Sequence, residues 1–509
     1  QPFTRFLRDA GYYCTNASKQ DYNFNPGANA WDESSGKAHY KNRKPGQPFF
    51  AVFNYTQSHE SQFHGGRAFP GIEKHDPSKL TLPPYYPDTP LVRKDWAQNY
   101  DSITFVDNLI GKMLKELEEE GLAEDTIVFI WSDHGDGLPR AKRWLYDSGT
   151  RVPLLVRIPE KFRVGAQGKP GTVTDELILG PDLGMTVLNL AGVKVPDYAH
   201  GRAFLGKELS QPREYVFGAR DRMDERYDII RTARDKKYRY IRNFEPWKPY
   251  DQVIGYCEKG NVMKELRRAE AEGTLPPGAK LFMGERKPIE ELYDSEADPH
   301  EINNLAAAPE HQATLKRMRA ALEKWQEDTL DLAFLPEPIM NQEAAKAGSH
   351  WEILRKSGGA ALVRDLRETA TLYENGPSAI PELNKRLGAE HPAVRYWAVV
   401  GLTQLSLQKD SKVDTKTFIN VAEKDNSPTV RVAAARALWL HKDVKGALPV
   451  LTDVLASKDN WESLAAALVL DEMGEAARPA LSDIKMASKV KHEYLSRVVE
   501  QILANLKAE

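Results

Sequence analysis

The chain has 509 residues, with 70 Lys and Arg against 73 Asp and Glu, and 41% of its residues are hydrophobic. Its formal charge of −3 gives no reason to expect a nucleic-acid partner. Its longest apolar runs, of about five residues, exclude a membrane span, which needs roughly 20. Two cysteines exclude a disulfide-rich framework and a cysteine-built zinc site.

The first part of the chain alternates helical and strand-like patterns. Apolar residues at helical spacing predict a short helix over 3–11 and a long amphipathic helix over 96–120. Short apolar runs rich in β-formers predict buried strands over 48–55, 126–131 and 152–158. Such alternation is typical of an α/β domain whose mostly parallel sheet is sandwiched by helices, and we assign it to residues 1–212.

The pattern changes over residues 213–335. Closely spaced strand patterns at 215–219, 227–232 and 237–241 predict a small antiparallel sheet, and a helix is expected near 309–330. We therefore expect a small α+β subdomain here. The proline-containing segment after it predicts a linker over 336–349.

The C-terminal residues 350–509 contain an internal repeat. The octapeptide at 391–398 returns at 427–434, a period of 36 residues, and a degenerate copy follows at 460–470. Helix pairs that recur every ~30 to 40 residues are typical of an α-solenoid. The pattern resembles HEAT-type repeats, and a plain helical bundle is the alternative.

Several polar residues follow predicted strands, and each alone has an ordinary structural interpretation. His59 comes soon after the strand at 48–55, and Asp133 and His134 come directly after the strand at 126–131. A strand-terminal Asp is often a helix cap, and a single His after a strand is more often structural than catalytic. Lys19 and Lys142 alone would be assigned to the solvated surface.

Taken together and in order, these residues resemble the type I sulfatases of the alkaline phosphatase superfamily, in the branch of the heparan N-sulfatases. Asp133-His134-Gly135 resembles the second metal motif, and 142–153 resembles the family's lysine, Tyr-acid-x-Gly and Val-x-Pro strand. Lys19 and His59 take the places of the Gly-Lys-x-His lysine and of the histidine after the preceding strand. The segment 291–305 is similar to the family's closing ELYD…DP motif. The resemblance covers about residues 1–335.

Two departures from the family pattern are visible. Asp21 stands where the family has the histidine of Gly-Lys-x-His, which helps to break down the sulfated intermediate. The formylglycine nucleophile comes from a C/S-x-P-S/A-R motif, and neither Cys14 nor Cys257 begins one. We expect this nucleophile and the first metal aspartates upstream of Gln1, so that the chain is N-terminally truncated and the 509 residues alone are inactive.

The resemblance implies a metal-assisted hydrolysis of a sulfuric ester. It implies Ca²⁺, bound by Asp133 with His134 as ligand or close neighbour, and catalytic roles for Lys19, Lys142 and His59, which would protonate the departing alcohol. Fixed positive charge suits a reaction in which negative charge builds up on the leaving oxygen. Asp21 is either a proton acceptor when sulfate leaves or only a partner that holds Lys19, and we favour the second. Lys19, Asp21, His59 and Lys142 are thus the expected substrate-binding residues.

The substrate class expected is a sulfated oligo- or polysaccharide carrying O-sulfate or N-sulfate. The loops at 63–95 and 243–286 are expected to contact it, since aromatic faces stack on sugars and basic groups bind sulfates. Their aromatic and basic residues include Tyr85, Tyr86, Arg93, Trp96, Trp247, Tyr250 and Tyr256. The HEAT-like repeats are expected to hold a protein partner or to position a polymer. Because exported members are common in the family, the resemblance favours a periplasmic or secreted protein.

Two other functions are open on the sequence alone. One is a phosphodiesterase or phosphatase of the same superfamily, which uses Thr or Ser as nucleophile and usually two zinc ions. The other is a binding protein that holds sulfated glycans without hydrolysing them.

Overall fold

Nine β-strands form three sheets within the residues described by the computed structural model, namely 2–22, 25, 27–63, 67–355 and 358–507. The strands are β1 (Tyr13–Ala17), β2 (Glu33–Ser34), β3 (Phe49–Phe53), β4 (Val128–Trp131), β5 (Leu154–Arg157), β6 (Val216–Met223), β7 (Arg226–Arg234), β8 (Tyr238–Asn243) and β9 (Glu290–Asp294).

The helices fall into an N-terminal set and a long C-terminal run. The N-terminal set is α1 (Thr4–Asp9), α2 (Pro90–Glu119), α3 (Asp147–Thr150), α4 (Gly180–Leu190), α5 (Asn261–Ala271), α6 (Gln312–Thr329) and α7 (Glu337–Ala347). The C-terminal run is α8 (Gly359–Thr371), α9 (Ile380–Arg386), α10 (Pro392–Ser406), α11 (Lys416–Lys424), α12 (Pro428–Leu440), α13 (Val444–Leu455), α14 (Asn460–Met473), α15 (Leu481–Ala487) and α16 (Glu493–Asn505). None of the described helices combines the length and the apolar character needed to cross a bilayer.

A parallel sheet of order β2-β1-β3 lies in the N-terminal part, as predicted. Tyr13 of β1 pairs with Phe49 of β3, and Ala17 with Phe53, so both strands end at the same edge. Leu7 of α1 and Leu188 of α4 are buried against Cys14 of β1. The helices thus cover this sheet because they carry apolar residues at helical spacing.

The strands β4 and β5 differ from the prediction in their pairing. They pair antiparallel with each other in a separate two-stranded sheet, with Val128 opposite Arg157 and Trp131 opposite Leu154. The sheet has no further strand on either edge within the described residues, so Trp131 and Leu155 are exposed rather than buried.

The small antiparallel sheet has the order β6-β7-β8-β9 and two buried faces. On one face, Ile230 and Ile241 belong to a core that includes Trp144 and Tyr146. On the other face, Ile229 belongs to a core formed with the C-terminal helices. Because side chains alternate along a strand, neighbouring residues of β7 face opposite partners. The sheet therefore separates the N-terminal core from the solenoid.

The predicted linker at 336–349 is instead the packed helix α7. Its first turn is buried, including Glu337, Pro338 and Ile339, and it follows buried Phe334 and Leu335. A proline in the first turn of a helix loses no hydrogen bond, so Pro336 and Pro338 begin the helix rather than interrupt the structure. The connection between sheet and solenoid is thus part of the apolar core.

The C-terminal helices form the predicted solenoid. The two clearest copies of the repeat start α10 at Pro392 and α12 at Pro428, each with the proline in the first turn. Helices α10, α12 and α14 lie side by side in one row. Small and branched apolar residues along the row form one continuous buried core.

Candidate functional site

The predicted site residues lie in loops that follow the carboxyl ends of strands. Lys19 follows β1 and His59 follows β3, while Asp133 and His134 follow β4. Since β1 and β3 are parallel, their following loops emerge at one edge of the sheet. Lys142 lies in the loop between β4 and α3.

Lys19 joins two carboxylates. Its Nζ lies 2.9 Å from Oδ2 of Asp21 and 3.9 Å from Oδ2 of Asp133. A contact between Lys19 and Asp21 is what we expect if Asp21 serves only to hold Lys19 in place. Lys19, Asp21 and Asp133 thus form one charged cluster open to solvent.

His134 lies beside Asp133. Its Nδ1 lies 2.7 Å from the carbonyl oxygen of Gly135, and since a carbonyl only accepts, Nδ1 is the donor of this contact. Its Nε2 lies 3.6 Å from Oδ2 of Asp133. These two atoms could contact one cation together.

His59 lies within electrostatic range of both lysines. Burial lowers the pKa of its imidazole, and the charges of Lys142, Lys19 and His134 lower it further, against an opposing effect of Glu60. The backbone N–H of Ser61 donates to Nδ1 of His59 at 3.2 Å, so the neutral ring carries its proton on Nε2. The structure therefore places His59 within electrostatic range of Lys19 and Lys142, and its neutral imidazole retains one donor.

Lys142 is held by a buried carboxylate that no sequence motif reveals. Its Nζ lies 3.4 Å from Oε2 of Glu60, and Nη1 of Arg143 lies 2.9 Å from the same oxygen. Arg143 also contacts Asp224, in the turn between β6 and β7, at 3.4 Å. In the sequence, Glu60 and Arg143 have polar or charged neighbours, as surface residues do. Only their burial in the structure reveals that they position Lys142.

The loop from β4 to α3 is closely packed at its glycines. A Cβ atom on Gly137 would lie 2.7 Å from Cα of Glu60, and one on Gly149 would lie 2.3 Å from the carbonyl oxygen of Ala141. Any other residue at these positions would move the loop. The glycines therefore fix where Lys142 and Glu60 meet.

Two motif residues of this loop hold it against the small sheet rather than entering the site. The hydroxyl of Tyr146 donates to Glu291 of β9 at 2.9 Å. Buried Asp147 forms ion pairs with Arg239 and, at 3.2 Å, with Arg234. The Tyr-acid-x-Gly and ELYD segments thus contact each other, which explains why both accompany the site.

Most of the aromatic residues expected to contact a sugar are buried in the core instead. Tyr85, Tyr86, Trp96 and Tyr250 pack with Trp144 and Phe282, because rings of this size remove much apolar surface from water. Arg93 is engaged by Asp88 and by two backbone carbonyls. The prediction that these four buried aromatic residues line the sugar site is therefore wrong.

Neither cysteine is poised as a nucleophile. Burial raises the pKa of Cys14 to about 12 and that of Cys257 to about 12. Both thiols are therefore protonated at neutral pH and poorly nucleophilic.

The donors for a metal are incomplete among the described residues. No group of three or more His, Cys, Asp or Glu side chains forms a metal site in that part of the chain. Asp133 and His134 provide one carboxylate and one imidazole, whereas calcium takes about six to eight oxygen ligands. These two residues alone do not make a calcium site.

Comparison with known proteins identifies the families to which segments of the chain are similar. The sulfatase profile matches residues 1–193, and the profile of the C-terminal part of N-sulphoglucosamine sulphohydrolase matches residues 139–276. The HEAT-repeat profile matches residues 415–497.

Two curated relatives are similar to part of the chain. An ulvan-active sulfatase of Formosa agariphila is 39% identical in an alignment of 367 residues that covers 66% of this chain and 61% of the relative. The N-sulphoglucosamine sulphohydrolase of Homo sapiens is 28% identical in an alignment of 270 residues that covers 51% of this chain and 53% of the relative. The chain thus spans about half to three fifths of the length of these relatives.

Among solved structures, a 2-O GAG sulfatase superposes with a TM-score of 0.42 at 19% identity. The superposition covers 65% of this chain and 74% of that one.

Proposed function

We propose that this protein hydrolyses the sulfuric esters or N-sulfates of a sulfated glycan, because residues 1–276 are similar to the sulfatase and N-sulphoglucosamine sulphohydrolase family models. The observation that supports it best is that Lys19 lies 3.9 Å from Asp133 and that both Lys19 and Lys142 are near enough to lower the pKa of His59, although their loops are far apart in the sequence. That both curated relatives described above act on sulfate groups supports sulfate rather than phosphate chemistry.

The charges of the cluster balance, and an added cation would make it more favourable for an anionic substrate. The positive charges of Lys19, Lys142 and Arg143 are matched in number by Asp21, Asp133 and Glu60. A divalent cation on Asp133 and His134 would make the local charge positive and stabilise negative charge on a sulfuryl oxygen. Calcium is our proposal for this ion, with donors besides these two residues.

His59 is proposed to act at the leaving group. Its Nε2–H is a hydrogen-bond donor in the neutral ring, and its pKa is lowered in the free protein. A bound sulfate ester brings negative charge next to the ring, which favours the protonated form and raises this pKa. Substrate binding itself would thus prepare His59 to protonate the departing alcohol.

The lysines are proposed to bind the sulfate group. Lys142 is oriented by Glu60 and retains hydrogen-bond donors, since an ammonium has three and this carboxylate faces one side. Lys19 is held by Asp21 in the same way. Each lysine is therefore positioned before substrate arrives, which limits the entropy lost on binding.

The attacking group is proposed to be a formylglycine outside these 509 residues. Neither cysteine belongs to the C/S-x-P-S/A-R motif, and both thiols are buried to some degree. For these residues alone we therefore propose binding of sulfated glycans without turnover.

A binding and release experiment tests this proposal. The chain is titrated with sulfated oligosaccharides, and free sulfate is then measured after incubation with them and with an aryl sulfate. We expect binding that Lys142→Met weakens and no sulfate release. Sulfate release would contradict the placement of the nucleophile, and no binding of any sulfated glycan would contradict the site. When an upstream segment carrying the motif is present, activity on aryl sulfate alone would contradict the glycan substrate.

A further inference from the structure

Two helices of the solenoid hold the turn between β6 and β7 and the first residue of β7. Nη1 of Arg226 lies 2.7 Å from Oδ2 of Asp471 in α14, and each of these side chains is only 10% exposed. Nη1 of Arg497 in α16 lies 3.2 Å from Oδ1 of Asp224 and 3.4 Å from Oε2 of Glu225. Ion pairs therefore fix this turn of the small sheet against the solenoid.

The backbone of the turn is also fixed on its other side. Asp224 has a φ of +50°, in the left-handed region that residues with a side chain seldom adopt. The backbone N–H of Gly255 donates to the carboxylate of Glu225 at 2.7 Å, and the guanidinium of Arg226 donates to the carbonyl of Val253 at 2.6 Å. Since the backbone is held in place, the carboxylate of Asp224 is oriented by the guanidinium groups that it faces.

Asp224 is shared between the solenoid and the loop of the candidate site. Its Oδ1 faces Arg497, and its Oδ2 lies 3.4 Å from Nε of Arg143. Nη1 of Arg143 lies 2.9 Å from Oε2 of Glu60, and Nζ of Lys142 lies 3.4 Å from the same oxygen. The charges alternate in sign along this series, so each group stabilises the position of its neighbours.

The part of the series next to the site is buried. The side chains of Arg143 and Glu60 are 7% and 4% exposed, whereas Arg497 is more than a third exposed. Removing one partner of a buried ion pair leaves the other charge uncompensated. Without Arg497, the carboxylate of Asp224 is left to Arg143 alone and draws it toward the turn. Glu60 then holds Lys142 more tightly, and this lysine is less available to an anion.

We propose that Arg497 of the solenoid is a positioning residue for the sulfate site. It acts on Lys142 through the ion pairs at Asp224, Arg143 and Glu60. This inference rests on the proposed function, since it takes Lys142 to bind sulfate. It gives the HEAT-like repeats a role within the chain, which is to support the anion site.

Arg497→Met in the full chain tests the proposal. We expect it to weaken binding of inorganic sulfate about fivefold in titration calorimetry. It should also raise the pKa of His59 in an NMR titration without sulfate, because Lys142 lowers this pKa and Glu60 raises it. Both measurements use about 0.15 M salt, where a Debye length of about 8 Å screens the long-range effect of the lost charge. Arg497→Lys keeps a cation next to Asp224 and should restore the affinity to within about twofold.

Arg431→Met is the matched control, since Arg431 pairs with Asp453 within the solenoid at 3.0 Å and its loss removes the same charge. It should leave the sulfate affinity and the pKa of His59 unchanged. A merely structural role of Arg497 predicts a lower Tm with both values unchanged, and that result would overturn the proposal, as would an equal effect of the control. If the wild type binds no sulfate, the proposed function fails, and an unchanged pKa of His59 in Arg497→Met would then separately overturn the role of Arg497.

Discussion

The Nζ atom of Lys142 lies 3.4 Å from Oε2 of Glu60, a carboxylate only 4% exposed. Arg143 contacts the same carboxylate and also Asp224, and Asp224 in turn contacts Arg497 of α16 at 3.2 Å. Ion pairs thus connect the last solenoid helix to the lysine of the candidate site. The position of Lys142 depends on Glu60 and on the packing around it.

Glu60→Gln should destabilise the protein by about 3 kcal/mol, because it leaves the largely buried guanidinium of Arg143 without one of its two carboxylates. Urea denaturation measures this change. Glu119→Gln is the control, since among the described residues Glu119 pairs only with Lys115 on the exposed side of α2, and it should change stability by less than about 0.5 kcal/mol. Equal effects of the two variants would contradict the role assigned to Glu60.

Lys19→Met and Lys142→Met should each weaken binding of inorganic sulfate about tenfold, because each removes one positive charge next to the anion. Titration calorimetry at low ionic strength measures the affinity, which should fall as salt is added. Lys41→Met is the matched control, since Lys41 is paired with Glu116 and Glu120 elsewhere on the surface. A loss of affinity in the control as large as in the two variants would exclude a specific site.

His59 should make stability depend on pH in a defined direction. Because the folded protein lowers its pKa below the ordinary value of about 6.5, the unfolded chain binds protons more readily. Stability should therefore fall as pH decreases from about 6.5 through the folded pKa. Urea denaturation of the wild type and of His59→Asn across this range isolates the contribution, and the stability of the wild type relative to the variant should decrease toward acid. An increase would show that the pKa is raised instead.

Trp397→Ala should destabilise the protein by about 3–5 kcal/mol, because Trp397 is 1% exposed and packs between the sheet and the solenoid. Its Nε1–H also donates to the carbonyl of Phe334 at 2.8 Å. Trp351→Ala, at an exposed position, should change stability by less than about 1 kcal/mol. Similar urea midpoints for the two variants would mean that the solenoid does not depend on this contact.

The sequence predicts the secondary-structure elements better than it predicts which strands pair with each other. Alternating helices and short apolar runs predict the parallel sheet, the small antiparallel sheet and the solenoid, and all three are present. The helix predicted from 96 begins at Pro90, because Thr89 caps it and Pro90 fits the first turn. The antiparallel pairing of β4 with β5 was not predictable, since an apolar run identifies a strand but not its partner.

For the candidate site, sequence identifies the residues with a recognisable motif and misses those defined by packing. The motifs predict Lys19, His59, Asp133 and Lys142, and the structure places Lys19 beside Asp133 and both lysines within electrostatic range of His59. The sequence does not identify Glu60, because a Glu next to a His has the pattern of an exposed residue. Only the structure shows that Glu60 is buried. Tyr85 and Tyr250 were misassigned because an aromatic residue in a loop has the same sequence pattern whether it lines a site or fills a core.

The central claim is that the two lysines and His59 surround one anion. NMR titration of the His59 imidazole, with and without saturating sulfate, tests it directly in the wild type and in Lys142→Met. We expect sulfate to raise the pKa of His59 in the wild type, and we expect Lys142→Met to raise it before sulfate is added and to reduce the further rise. A His59 pKa that responds neither to sulfate nor to the loss of Lys142 would contradict the claim.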